Sequence, residues 1–260
     1  MKTSVIVTLY KNLPFIDLIF QSLALQTEQD FELIVAEDDN APESLSFLET
    51  QRKKYQFPIR HCSHSNKGFR KNKILNKAVV LAKTDYLILI DGDTVLHPKF
   101  IAEHLKAAKP NQTIIGRRLM LSESLTNLAL KENDISSFKL MNFIRFACKK
   151  ISCGIYLPFL SSNRKDGVWG CNWSVNKAQL IAINGFDEDY IKGGVGEDTD
   201  IEWRLRENGS SFCSVKFKAI QYHLHHSENY SNGDVENNFE ILKNKKKLNH
   251  IICLNGINKL

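Results

Sequence analysis

Asp91 and Asp93 flank Gly92 directly after the apolar run from Tyr86 to Ile90. Inside a strand two such side chains would project to opposite faces, but a turn at Gly92 aims both into one cleft. Two hard oxygen donors there suit Mg2+ or Mn2+ bridging a diphosphate. Asp-Gly is also a common turn pair, and a solvated turn is the plainer reading of the dipeptide alone. His223 and His226 are three apart, so a local turn presents both to one ion, and imidazole with carboxylate oxygens makes an Mn2+ ligand set. His225 stays open as an alternative ligand, and surface histidines in a polar tail are the plainer reading of each singly. Glu197 and Asp198 follow the glycine loop Gly193-Gly194-Val195-Gly196, which can close over a substrate and carry a carboxylate into place. An ionised aspartate accepts a proton from a hydroxyl. Acids at that point also suit a helix start, with Asp198 or Thr199 as its cap.

Trp169 and Trp173 bracket Gly170-Cys171-Asn172. Exposed tryptophans stack on sugar faces and Asn172 adds hydrogen bonds, although a buried tryptophan is the commoner case. Arg70, Lys71, Lys73 and Lys77 form a basic helix start able to neutralise phosphates, or simply a solvated face. The basic, amphipathic stretch 138–150 reads as a helix lying on an anionic membrane surface or packed on the core.

These groups need a scaffold. The β-branched run 4–9 and the apolar runs 31–36 and 85–90 read as strands, with 57–61 as a further short one. Helices are expected over 14–26, where Pro14 suits a first turn, and over 42–55 and 70–82. The alternation predicts a mostly parallel sheet covered by helices, with ligands beyond the carboxyl ends of the strands. Thr8-Leu9-Tyr10, Glu37-Asp38-Asp39 and Asp91-Gly92-Asp93 all fall there. In the second half, 114–121 reads as a strand, 122–150 as helix, 161–174 as loop, 175–184 as helix and 199–207 as helix.

The chain has 260 residues, 43% hydrophobic and 25% charged, a globular mix that argues against disordered or disulfide-stapled classes. Its length is that of one large domain or two small ones. The net charge of +6 suits a phosphate-bearing substrate, an anionic membrane or nucleic acid without choosing among them. The six cysteines show no C-x-x-C spacing and read as reduced thiols of a cytosolic protein. Neither a signal peptide nor a run long enough to span a bilayer is visible.

In combination the segments resemble a family 2 glycosyltransferase of the GT-A fold. The resemblance is carried by Ser4 to Asn12, Phe31 to Asn40, Asn66 to Arg70 and Tyr86 to Asp93. A second part, carried by Gly170 to Ser174, Asn184 to Glu188 and Gly194 to Asp200, resembles the galactosyltransferase segment shared with chondroitin polymerases. The resemblance implies one GT-A (Rossmann-like) α/β domain over 1–260, with a nucleotide-sugar half at 1–115 and an acceptor and catalytic-base half at 116–260. It implies inverting transfer from a UDP-sugar, with Mn2+ or Mg2+, to a glycan or lipid-linked acceptor in bacterial surface polysaccharide or lipopolysaccharide synthesis. Its expected setting is cytoplasmic, with peripheral attachment to the inner membrane face as a variant.

By motif match, Thr8, Tyr10, Asp38, Asp39, Arg70, Asp91 and Gly92 would hold the nucleotide sugar. Asp93, His223 and His226 would hold the metal, Asp198 would be the base, and Glu197 would orient an acceptor meeting Trp169, Asn172 and Trp173. The Q-x-x-R-W motif of processive membrane synthases is missing. A nucleotidylyltransferase is the nearest rival, but its glycine-rich loop has no counterpart in Thr8-Leu9-Tyr10-Lys11-Asn12. A non-catalytic scaffold subunit is the other rival. No recognised nucleic-acid-binding module is present.

Overall fold

Aliphatic and β-branched runs form the central strands. In the computed structural model, which describes residues 1–163, 165, 167–194, 196–227 and 231–260, β1 (Thr3–Leu9), β2 (Phe31–Glu37) and β3 (Ile59–Ser63) lie parallel. They alternate with α1 (Leu13–Ala24), α2 (Pro42–Lys54) and α3 (Lys71–Leu81) before β4 (Tyr86–Ile90) joins β1 on its other side. The local signals explain the starts. Asn12 accepts the Phe15 N–H at the head of α1, and α1 and α2 each place a proline in the first turn.

Next come β5 (Thr94–Leu96), α4 (Phe100–Ala107), β6 (Gln112–Ile115), β7 (Leu119–Met120), α5 (Glu123–Glu132) and α6 (Leu140–Arg145). The chain continues with β8 (Trp173–Asn176), α7 (Lys177–Ala182), α8 (Glu197–Glu207), β9 (Ser211–Ser214), β10 (Gln221–His223) and α9 (Asn232–Lys247). The main sheet runs β3-β2-β1-β4-β8-β6-β9, and β8 alone is antiparallel to its neighbours. A small second sheet runs β5-β10-β7.

Strand alternation divides the core. Val5, Val7, Leu33, Val35, Ile88 and Ile90 face α1, whereas Ile6, Ile34, Leu87 and Leu89 face α3, α7 and α8. Two buried amides on α3 tie it to the following half. Asn72 donates to the Asp187 carbonyl at 2.7 Å, and Asn76 exchanges hydrogen bonds with the backbone of Phe186 at 2.8 Å. The Asn184-Gly185-Phe186-Asp187 motif is therefore a docking point for α3.

Several expectations are corrected. The helix expected over 122–150 splits, because Asn133 takes a left-handed conformation that ends α5. Only Leu140–Arg145 is helical within the amphipathic stretch, with Met141 and Ile144 exposed and Phe143 buried. The strand expected over 114–121 breaks at Gly116, where a Cβ would lie 2.1 Å from the Asn172 side chain. The helix expected at 175–184 begins at Lys177 because β8 takes the residues before it. All six cysteines are unpaired. No helix among the described residues is long and apolar enough to cross a membrane.

Candidate active site

At the carboxyl end of β4 the chain must turn sharply. A Cβ on Gly92 would meet the Thr8 carbonyl oxygen at 2.2 Å, so only glycine fits, and the Gly92 N–H donates to Thr8 Oγ1 at 3.3 Å. Asp93 follows, and β5 then pairs antiparallel with β10, setting Thr94 opposite His223. The Leu224 N–H donates to the Asp93 carbonyl at 2.8 Å and extends that register past the strand. This ladder brings side chains more than a hundred residues apart into one cluster. Asp93 Oδ2 lies 3.4 Å from His223 Nε2 and 3.0 Å from His226 Nε2. One ligand atom from each of the three lies within 4.8 Å of the others.

The donor set suits a divalent cation, since carboxylate and imidazole together are ligands for Mn2+. Two further atoms fit that reading: Asp93 Oδ1 and His223 Nδ1 are buried without a hydrogen-bond partner among the described residues. Burial works against the Asp93 charge, yet the hydrogen bonds from His223 and His226 outweigh it and hold the carboxyl well below the usual range. The bond to Asp93 in turn raises His226 to about 8. His225 is outside the cluster; its backbone N–H donates to Thr126 Oγ1.

The second acidic group sits at the start of α8. Gly196 adopts φ +137°, and a Cβ there would strike Asn238 on α9 at 2.5 Å, so this glycine fixes the approach of the chain to Glu197. Val195 of the expected glycine loop lies outside the described residues. Asp198 Oδ2 accepts the Gly170 N–H at 2.8 Å. Lys71, from the first turn of α3, reaches Asp91 Oδ1 at 2.8 Å, and the charges of Asp91 and Asp198 keep it protonated although burial opposes its charge. Burial, reinforced by the neighbouring Asp198 charge, pushes Glu197 up to about 8. Burial raises Asp198 as well, while the Lys71 ammonium opposes the rise. The arrangement leaves Glu197 mostly protonated at neutral pH.

These groups open on a cavity of about 700 Å3 lined by Lys71, Asp91, Trp169, Asp198, Trp203 and Lys246, among others. Glu202, one turn beyond Asp198, holds the cavity's opposite loop. Its carboxylate accepts the N–H groups of Gly167 and Val168 at 2.9 and 2.7 Å and pairs with Arg206 at 2.7 Å.

Two acceptor expectations are corrected. Trp173 is fully buried in β8, with its ring edge-on to Phe186 at 6.0 Å. Asn172 is fully buried too. Its Oδ1 meets His104 Nε2 at 3.0 Å, and its Nδ2 donates to the carbonyls of Arg117 and Ala219 at 2.9 and 3.1 Å. Both side chains are spent on the interior, and only Trp169 of that set reaches the cavity.

On the nucleotide side, Tyr10 is exposed and accepts from Asn66 at 3.3 Å, and Asp39 Oδ2 accepts from the same amide at 3.4 Å. Asp38 is buried, with one oxygen on His64 at 2.6 Å and the other accepting the Arg70 N–H at 2.8 Å. The Arg70 guanidinium donates to the Ser65 carbonyl.

Sequence reasoning named Lys71 only as part of a basic helix start, and it missed Arg118, Glu202 and Trp203. The helical period carried a usable signal, since 198, 202 and 206 are spaced by four and share a face, as do 199 and 203. Arg118 carried none: it is placed by the turn between β6 and β7.

The family pattern described as Glycosyl transferase family 2 matches residues 4–170, and that described as the N-terminal domain of galactosyltransferase matches residues 152–227. A validoxylamine A glucosyltransferase of Streptomyces hygroscopicus subsp. jinggangensis is 22% identical over 79% of the chain and 51% of its own length. A hyaluronan synthase of Pasteurella multocida is 26% identical over 82% of the chain and 23% of its own length. The chain thus spans about half the length of the first relative and less of the second. Among solved structures, GalNAc-T7 with UDP, GalNAc and Mn2+ superposes with a TM-score of 0.65 at 12% identity, over 94% of this chain and 48% of that one. With the sheet order and the seven-stranded, mostly parallel architecture, that likeness shows a GT-A fold. The first pattern runs over more than half of the chain and through every strand of the parallel block, so the chain belongs to glycosyl transferase family 2.

Proposed function

We propose that this chain moves a sugar from a UDP-sugar to a hydroxyl of a glycan or lipid-linked acceptor, with inversion at the anomeric carbon. The observation that carries the reading is the meeting of Asp93, His223 and His226 beside the Lys71, Glu197 and Asp198 group at the carboxyl end of the sheet. Thr8, Tyr10, Asp38, Asp39, Arg70, Asp91 and Gly92 frame the nucleotide side, within residues 1–115. The acceptor side and the base belong to 116–260 of the same domain, with Trp203 joining Trp169 in place of Trp173.

Asp198 takes the proton from the acceptor hydroxyl, and the oxygen attacks the anomeric carbon opposite the leaving diphosphate. Lys71 pairs with Asp91, and its ammonium opposes the burial that raises Asp198. Glu197, protonated, donates a hydrogen bond to the acceptor. Mn2+ or Mg2+ held by Asp93, His223 and His226 would offset the charge that develops on the diphosphate. The hyaluronan synthase among the relatives supports a place in surface polysaccharide synthesis. We place the reaction on the cytoplasmic side, with the exposed Met141 and Ile144 and the basic residues around them resting on the membrane face.

Incubating the chain with a panel of nucleotide sugars, with Mn2+ and Mg2+ compared, tests the reading. Slow, metal-dependent hydrolysis of one UDP-sugar is expected. No turnover and no UDP binding under either metal would overturn it.

A further inference from the structure

We propose that the cavity beside Asp198 takes an acceptor bearing an anionic group, a carboxylate or a phosphate, held between Trp169 and Trp203 and recognised by Lys150 and Lys246. The inference rests on the sugar-transfer reading and adds the chemistry of the acceptor.

Three of the cavity's four acids have a partner. Asp91 is paired with Lys71. Asp198 takes the Gly170 N–H and feels the same ammonium. Glu202 takes two backbone N–H groups and Arg206. Glu197, with its pKa pushed up by burial, is neutral at pH 7. The cations are not answered in the same way. Among the described residues no carboxylate pairs with Lys150, Lys246 or Arg118, all of which line the cavity. Arg118 Nε is buried without a hydrogen-bond partner among the described residues, although its guanidinium feels Cys171, Asp93 and Asp91. Lysines without a carboxylate partner in one cavity raise the local concentration of an anionic ligand.

The two lysines are exposed, and each lies over a tryptophan ring. Lys150 Nζ sits 4.8 Å from the centre of the Trp169 ring, and Lys246 Nζ sits 5.7 Å from that of Trp203. Lys246 comes from α9, beyond residue 227 where the galactosyltransferase pattern ends. Its neighbour Lys245 is buried between Asp187 and Asp189, at 2.6 Å from each, and Asn238 on the same helix packs on Gly196. The helix is thus fastened to residues ahead of α8, the helix whose first turn carries Asp198. Each tryptophan is partly exposed in the cavity; Arg117 and Arg118 also lie over the Trp169 ring, at 4.9 and 5.5 Å from its centre, and the ammonium beside each tryptophan offers a point charge.

Calorimetry decides the matter. The full chain, saturated with UDP and Mn2+ so that the donor side is filled, is titrated at fixed ionic strength with three matched disaccharides: neutral, uronate-bearing and phosphate-bearing. A charge-assisted contact predicts roughly tenfold or more tighter binding of the charged sugars. The stronger of the two charged arms separates carboxylate from phosphate. The double variant Lys150→Ala with Lys246→Ala removes the gap, and Lys150→Arg with Lys246→Arg keeps it. Rising NaCl weakens the charged sugars more than the neutral one in the unaltered chain, a readout that needs no variant.

Equal binding of all three sugars, no binding of the charged ones, or a gap that survives the double alanine variant would overturn the inference. UDP titration of the unaltered chain separates the failures. Without UDP binding the sugar-transfer reading itself falls, whereas UDP binding without a preference for anions removes only the acceptor assignment.

Discussion

Two acidic pairs with similar sequence signatures meet opposite fates. Glu37 and Asp38 end β2 and are buried. Glu37 accepts from His61 at 2.8 Å and from the Ala41 N–H at 3.2 Å, and although burial opposes its charge, these bonds hold it below its ordinary pKa. Asp38 is shared between His64 and the backbone of Arg70. Glu197 is also buried and Asp198 half-buried, but they lean on one lysine, Glu197 Oε2 has no hydrogen-bond partner among the described residues, and both pKa values rise. Glu37 and Glu197 are both out of solvent, so burial does not separate the pairs. What separates them is whether the surroundings complete the hydrogen bonds: the completed pair braces the turn into α3, and the incomplete one is left with protons to exchange.

The contrast can be broken in several places. The largest effect is expected for Asp198→Asn, which should lower the transfer rate by about 10²–10⁴-fold while UDP affinity stays near that of the unaltered chain. Steady-state kinetics with a fixed acceptor measure it, and full activity would remove Asp198 from its role. Asp93→Ala should erase the gain in UDP affinity that Mn2+ provides, read by calorimetry with and without the metal. An undiminished metal effect would separate Asp93 from the site.

The braced pair should respond in stability. Asp38→Asn leaves His64 and the Arg70 N–H with a poorer acceptor and should cost about 1–3 kcal/mol in denaturant unfolding. An unchanged midpoint would show that the pair is not the brace described.

The smallest effect concerns pH. Glu197 has its value raised from 4.5 to about 8, so the folded chain keeps a proton that the unfolded chain has released. Its contribution to stability therefore falls as pH rises from about 4.5 toward about 8 and is level above that. Glu197→Gln removes this dependence. Thermal melts at pH 5 and pH 8 should show a smaller drop for the variant than for the unaltered chain, and equal drops would place the titration elsewhere.

Much of the parallel half was legible, because β1, β2 and β4 are short apolar runs and strand burial on both faces requires that composition. The acids at their ends could be named for the same reason: a strand end is visible in sequence. The partners that complete or leave open their hydrogen bonds could not. Nothing in the spacing says that His61 and His64 serve Glu37 and Asp38 while Lys71 crosses to Asp91.

Trp173 was misplaced because the run around it looks loop-like, yet it pairs with Leu89 in the middle of the sheet. Trp203 was overlooked because its helix was read for its acids. The α9 helix escaped because only Asn238, Leu242 and Lys245 are buried along it, and two of those three are polar. Its docking depends on the Lys245 ion pairs, which have no periodic signature.

The central claim is that Asp93, His223 and His226 hold one divalent cation against a nucleotide diphosphate. Crystals grown with UDP and Mn2+, measured at a wavelength where manganese scatters anomalously, test it most directly. The account predicts one strong peak within bonding distance of the Asp93 carboxylate and both imidazoles, touching the diphosphate. A peak bound elsewhere, or bound UDP with no peak at these three residues, would contradict it.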